Sequence, residues 1–142
     1  MTLKSSYEST AGCLVQFVYG MLCPLLPRVV AGAEEIEELV AFVKDCGVEE
    51  IFAEAVNSRG PGLKDTADSL REAGFTEAAQ AVHRIRKGPE WSAYVAELLR
   101  NLQSSLRRHR LLEKLRCLLY PSRLLPADEQ AIRRYDAGVV WL

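Results

Sequence analysis

The chain has 142 residues, with 18 basic and 19 acidic side chains and 49% hydrophobic residues, the balance of one ordinary globular domain. This excludes a disordered chain, a coiled-coil rod and a multidomain assembly, and the length allows a core without disulfide or metal staples. Four cysteines, Cys13, Cys23, Cys46 and Cys117, match no CxxC, zinc or cluster-ligand spacing and are expected as reduced thiols of a cytoplasmic protein. Residues 1–80 carry 6 basic and 13 acidic side chains whereas residues 81–142 carry 12 and 6, so charge is dipolar along the sequence.

The first feature in chain order is the apolar run LVQFVYGMLCPLL at 14–26. It is too short for a bilayer-spanning helix, which needs about 20 residues, so no membrane association is expected. Its flanks, with Lys4 offset by Glu8 and with Pro24, Pro27 and Arg28 before Ala31-Gly32-Ala33, do not suit a secretory leader. A parallel strand buried on both faces explains the run. A helix follows over 34–46, where Ile36, Leu39, Val40 and Val43 form one stripe, four glutamates crowd the first turns, and Gly47 acts as a left-handed stop. Residues 51–56 read as the second strand and 57–62 as the loop at its carboxyl end, giving a parallel crossover unit.

Helices are then expected over 63–73, ended by Gly74, and over 77–87, capped by Thr76 and closed by Gly88-Pro89. The longest helix spans 90–108, with Trp91, Tyr94, Val95, Leu98, Leu99, Leu102 and Leu106 on one face and Arg100, Arg107 and Arg108 off it. Residues 115–120 form a third strand. Pro126 opens a helix that Gly138 ends, and residues 139–142 finish as a fourth strand. The fold class is therefore α/β, with three or four mainly parallel strands, helical cover and an incomplete barrel edge. Residues 1–19 stand apart as a segment that includes the start of the first strand, and residues 20–142 form the single domain.

Ligands of open parallel sheets lie just outside the carboxyl ends of the strands. The candidates there are Glu54, Asn57 and Arg59 after the second strand and Tyr120, Ser122 and Arg123 after the third. In the functional reading Arg59 and Arg123 hold an anionic group while Glu54 and Asn57 bind hydroxyls or an amine. In the simpler one, Glu54 pairs with an arginine and Asn57 caps a turn. The Gly60-Pro61-Gly62 loop is a poor phosphate cradle, because Asp65 stands where a third glycine is required. His83 and His109 are expected as surface or boundary residues, with no ligand partner at metal spacing.

Five blocks carry a resemblance: GMLCPLLP at 20–27, EEIFAEAVNSRG at 49–60, LREAGF at 70–75, LLYPSRLLPAD at 118–128 and IRRYDAGVVWL at 132–142. In this order the chain resembles the carboxy-terminal part of radical SAM proteins related to spore photoproduct lyase; MTLKSSYESTAG at the start does not join in. The resemblance implies the last strands of a partial (β/α) barrel, and it implies S-adenosylmethionine and a [4Fe-4S] cluster as cofactors of intact relatives. It also places Glu54, Asn57 and Arg59 toward the cofactor and Tyr120, Ser122 and Arg123 toward the substrate. The CxxxCxxC cluster motif and its glycine-rich companion are absent from this chain. A fragment or split piece that is inactive and holds no metal or cofactor alone is therefore expected. Two departures bear on geometry: Arg28 stands in place of a small turn residue, and Ala55 in place of a proline that would stiffen the strand end.

The expected partner is a separate amino-terminal half or a second copy, joined through an open sheet edge. The alternative is a nucleic-acid-binding or protein-interaction module using residues 81–123, with 10 basic and 3 acidic side chains. Its aromatic residues, Trp91 and Tyr94, lie on the apolar stripe, so only weak binding is expected from it.

Overall fold

The structure, a computed structural model, describes residues 2–8 and 14–142, with side chains from Phe17 onward. Cys13 lies outside the described residues. Five strands form one sheet in chain order: β1 (Thr2–Glu8), β2 (Leu14–Leu25), β3 (Glu50–Ala55), β4 (Leu115–Leu119) and β5 (Val139–Trp141). β2 through β5 are parallel to their neighbours, while β1 runs antiparallel along β2, from Thr2 opposite Gly20 to Glu8 opposite Leu14. The sheet is open. β1 precedes the first strand expected from the sequence, and the division after residue 19 falls inside β2, which that expected strand became.

Five α-helices supply the crossovers: α1 (Ala33–Asp45), α2 (Gly62–Glu72), α3 (Thr76–Arg84), α4 (Gly88–Arg108) and α5 (Pro126–Arg134). Thr76 is not a cap. It is the first helical residue of α3, Phe75 occupies the cap position, and no side chain bonds the free amides there. Pro89 and Pro126 sit in first turns, where their missing N–H groups cost nothing. Gly47, at φ 65°, ends α1 in the left-handed conformation that only glycine adopts cheaply. Gly138, at φ 78°, lies where a Cβ would come within 2.7 Å of the Leu115 side chain.

Burial alternates along the strands. Val18, Gly20 and Leu22 of β2, Ile51, Ala53 and Ala55 of β3, and Leu115, Cys117 and Leu119 of β4 are buried. They pack with Ile36, Val40 and Val43 of α1 and with Val95, Leu99, Leu102 and Leu106 of α4 in one core, which Val139 and Trp141 of β5 flank. The opposite face carries Phe17, Tyr19, Met21, Phe52, Leu118 and Val140, and none of these belongs to the core or packs against it. β2 is thus apolar on both faces, as its sequence suggested, but among the described residues it is covered on only one: Phe17 is 46% exposed and Cys23 is exposed as well. The expectation of a strand buried on both sides is corrected. Among the described residues all the helical cover lies on one side, because successive right-handed crossovers of a sheet with strands in chain order return on the same face.

Polar ties lock the helices in place. The buried Ser92 hydroxyl donates to Asp128 at 2.5 Å and accepts from the Leu125 amide at 2.9 Å, fixing the start of α5 to α4. Gln103 donates to the carbonyls of Tyr135 and Ala137 at 3.1 and 3.0 Å and so holds the turn that leads into β5. Among the described residues no helix is long and apolar enough to cross a membrane.

Candidate functional site

The carboxyl ends of β3 and β4 converge on a polar mouth. Asn57, Ser58 and Arg59 follow β3, and Tyr120, Ser122 and Arg123 follow β4, the latter two in a single 3-10 turn begun by Pro121. The Arg123 guanidinium bonds Asn57 Oδ1 at 2.8 Å, donates to Ser58 Oγ, and lies 4.6 Å from the centre of the Trp91 ring. Asn57 Oδ1 also accepts the Arg59 amide at 2.9 Å, which closes a side-chain turn and points the loop at the mouth. Burial and then the neighbouring Arg59 charge push the Arg123 pKa down. Two guanidinium groups close enough to repel form a site that an anion would relieve.

The floor of the mouth is fixed from below. Trp91 Nε1 donates to the Val56 carbonyl at 2.8 Å; the Tyr94 hydroxyl donates to the Leu25 carbonyl and accepts the Val56 amide at 3.3 Å. Desolvation pushes the Tyr94 pKa up, so the phenol stays neutral and serves as a clamp between the ends of β2 and β3. The Ala55 backbone lacks the stiffness of the proline expected from the resemblance, and these bonds restrain the same strand end.

Glu54, Asn57, Trp91, Tyr120 and Arg123 line one shallow recess. Glu54 also lines a second, larger cavity of about 260 Å³, formed with Met21, Cys23, Phe52, Ala53 and Leu118 on the uncovered face. The Glu54 carboxylate forms no hydrogen bond or ion pair among the described residues, so the simpler reading of Glu54 as an arginine's partner does not hold. The structure therefore brings together Glu54, Asn57, Tyr120 and Arg123. Arg59 stands at the exposed rim, and Ser122 is exposed and its hydroxyl makes no hydrogen bond among the described residues. Sequence reasoning missed Ser58 and the double role of Trp91. Ser58 lies inside the recognised loop, and Trp91 sits one turn into α4 on the stripe assigned to the core.

A second cluster of titratable groups ties helices together. Glu37 of α1 accepts the buried Ser105 hydroxyl at 2.5 Å, pairs with Arg108 at 2.5 Å, and meets His109 Nε2 at 2.6 Å. Those bonds, Ser105 first, bring the Glu37 pKa down to about 2. Serine and histidine both bond the carboxylate rather than each other, which is a clamp between α1 and the end of α4 and not a nucleophile–base pair. His83 is exposed. Cys23, Cys46 and Cys117 are free thiols on the uncovered face, at the end of α1 and in the core, and among the described residues no group of three or more His, Cys, Asp or Glu side chains is placed to hold a metal ion. Of the basic residues in 81–123, Arg107 bonds Tyr135, Arg108 pairs with Glu37 and Arg116 pairs with Glu50.

With this geometry the chain defines a one-sided open α/β sheet with an arginine-rich mouth at its strand ends. Compared with known proteins, it matches no family model, no curated protein and no solved structure.

Proposed function

We propose that the chain is the carboxy-terminal wall of a radical SAM partial barrel resembling spore photoproduct lyase, a fragment or split subunit that is not catalytic alone. The observation that carries this reading is the mouth at the ends of β3 and β4, where Arg123 and Arg59 stand beside an unpaired Glu54. Parallel strands in chain order with helices on one side support it, since a barrel wall has that construction. In this reading the helix-free face is the inner surface and the strand ends hold the ligand.

S-adenosylmethionine, the ligand the resemblance implies, carries a carboxylate and an ammonium group. The donors present fit it: Arg59 and Arg123 would take the carboxylate, Glu54 the ammonium, and Asn57 and Tyr120 its hydroxyls or those of a substrate. When bound beside a cluster it supplies a radical precursor. The residues of this chain bind and orient it, and the cluster belongs to an amino-terminal half that carries the three-cysteine motif. Free thiols fit a reducing compartment, and we assign the chain to the cytoplasm on that ground.

The test is calorimetric titration of S-adenosylmethionine into the isolated chain. Measurable binding that weakens about tenfold in Arg123→Ala, with the urea midpoint of unfolding unchanged, supports the site, the loss being that of one charge-assisted contact. Arg59→Ala is expected to lower affinity less, from its place at the rim. No binding, or an Arg123→Ala chain that unfolds, rejects it in favour of a purely structural ion network. Anaerobic incubation with iron and sulfide is expected to yield no 5′-deoxyadenosine from this chain alone.

A further inference from the structure

The uncovered face is unlike the outer surface of a finished domain. Its rows run Tyr19–Glu50, then Met21–Phe52–Arg116, then Cys23, Glu54, Leu118 and Val140, as the strand register and the cavity lining place them. Tyr19 meets Phe52 edge-on at 6.4 Å between ring centres and Phe17 at 6.2 Å, so the apolar side chains form one continuous patch. Four strands about 4.8 Å apart and three rows give a footprint of roughly 400 Å², at or beyond the patch size that marks an interaction surface.

Charge on this patch selects what covers it. Glu54 is half-buried among Met21, Cys23, Phe52 and Leu118 and has no cationic partner among the described residues. A covering surface must therefore be apolar and carry a cation opposite it, since an unpaired carboxylate sealed in an apolar contact is costly. Arg116 stands in the adjacent row on the neighbouring strand, 39% exposed, donating to the Glu113 and Leu115 carbonyls and pairing with Glu50 at only 3.4 Å. A two-fold axis running across the strands, between the Phe52 row and the Glu54 row, lays each row on the other row of the second copy. Arg116 of each copy then reaches Glu54 of the other, twice by symmetry, with Phe52, Met21 and Leu118 interleaved at the centre.

We infer that the uncovered face is the contact of a symmetric dimer of this chain, two sheets packed face to face with reciprocal Glu54–Arg116 pairs. The inference does not require the family reading: both use Glu54, but the inference rests on the apolar face and Arg116, whereas that reading rests on the arginines of the ligand mouth. An accessible area on the order of 600 Å² per copy lies at the small end of stable interfaces, so a dissociation constant in the micromolar range is expected.

Sedimentation velocity of the full chain, from about 1 μM to about 1 mM, reads the association directly. A monomer–dimer equilibrium that Phe52→Ser weakens at least tenfold, with the circular dichroism spectrum unchanged, supports the inference. Glu54→Arg is expected to weaken it at least tenfold, and Glu54→Arg combined with Arg116→Glu to restore most of that loss. If the Arg116 variant does not fold, the comparison of Glu54→Gln with Glu54→Arg decides, the charge reversal costing more than the neutralisation. A chain that stays monomeric to the highest concentration overturns the inference. So does a dimer indifferent to Phe52→Ser and Glu54→Arg, which would be joined through the β1 or β5 edge or through the helices. These outcomes are independent of S-adenosylmethionine binding.

Discussion

The two faces of the sheet are built from the same strands and nearly the same residue types, yet only one is a core. Ile51, Ala53 and Ala55 alternate along β3 with Glu50, Phe52 and Glu54, and helices α1 and α4 lie over the first set alone. Apolar character therefore does not distinguish a stabilising face from a recognition face; cover does. The helix-covered side contributes folding energy. The bare side holds Phe52, Met21 and Leu118 partly in solvent and adds a carboxylate that no core would leave unpaired.

Truncation is the largest lever on this contrast. Ile51→Ala, at a fully buried position, is expected to cost about 2–5 kcal/mol of unfolding free energy in urea titration, from lost transfer and a cavity. Phe52→Ala, one residue away on the bare face, is expected to cost about 1 kcal/mol, chiefly its contact with Tyr19. Equal losses would mean that both faces are packed. Next in size is Tyr94→Phe, which removes the hydroxyl that bonds the Leu25 carbonyl and the Val56 amide; about 1–3 kcal/mol should be lost. Ligand affinity should fall with it, because the mouth rests on those strand ends.

The Glu37 clamp gives a pH signature confined to the covered side. Its folded-state pKa, about 2, lies below the 4.5 of the free side chain. Its contribution is therefore complete above about pH 4.5 and is lost as pH falls toward 2. Glu37→Gln should flatten the fall of the urea midpoint across that window, and an unchanged slope would remove the clamp from the account. Arg28 offers the smallest effect. It lies at φ 60°, in the left-handed region where the resemblance expected a small turn residue. Relief of strain slightly exceeds the added freedom of the unfolded chain, so Arg28→Gly should raise stability by about 0.5 kcal/mol in the same titration.

Much of the fold was readable because its signals are local. The Ile36–Val43 stripe, the stops at Gly47 and Gly74 and the starts at Pro89 and Pro126 each report on their own few residues, and those ends lie where they indicated; α3 stops earlier than expected, at Arg84, and α5 ends at Arg134, with Gly138 in the turn beyond it. β1 was not readable: TLKSSYE has no apolar run, and its strand state comes from pairing with β2, a partner the sequence does not name. Thr76 looked like a cap because the residue type suits one, but the helix begins one residue earlier than that role allows. The mouth was partly readable, since strand ends are where chain direction brings Asn57 and Arg123 together. Trp91 and Tyr94 were hidden because buried aromatic residues on a helix read as core until their polar ends are seen bonding the strand ends. The bare face was hidden for a related reason. Apolar residues on both sides of β2 predict burial on both sides, whatever chain supplies the cover.

Cysteine reactivity tests the contrast between the faces most directly, since each face has its own thiol. Cys23 is exposed on the bare side, whereas Cys117 is buried in the core with its pKa pushed up to about 12, first by burial and then by the Glu54 charge. In native-state alkylation followed by peptide mass spectrometry, at a concentration low enough to keep the chain monomeric, Cys23 should label near the rate of an unfolded thiol. Cys117 should label only through global unfolding, and faster as urea is added. Comparable rates at the two sites, or protection of Cys23 in the dilute monomer, would contradict a sheet that is covered on one side and open on the other.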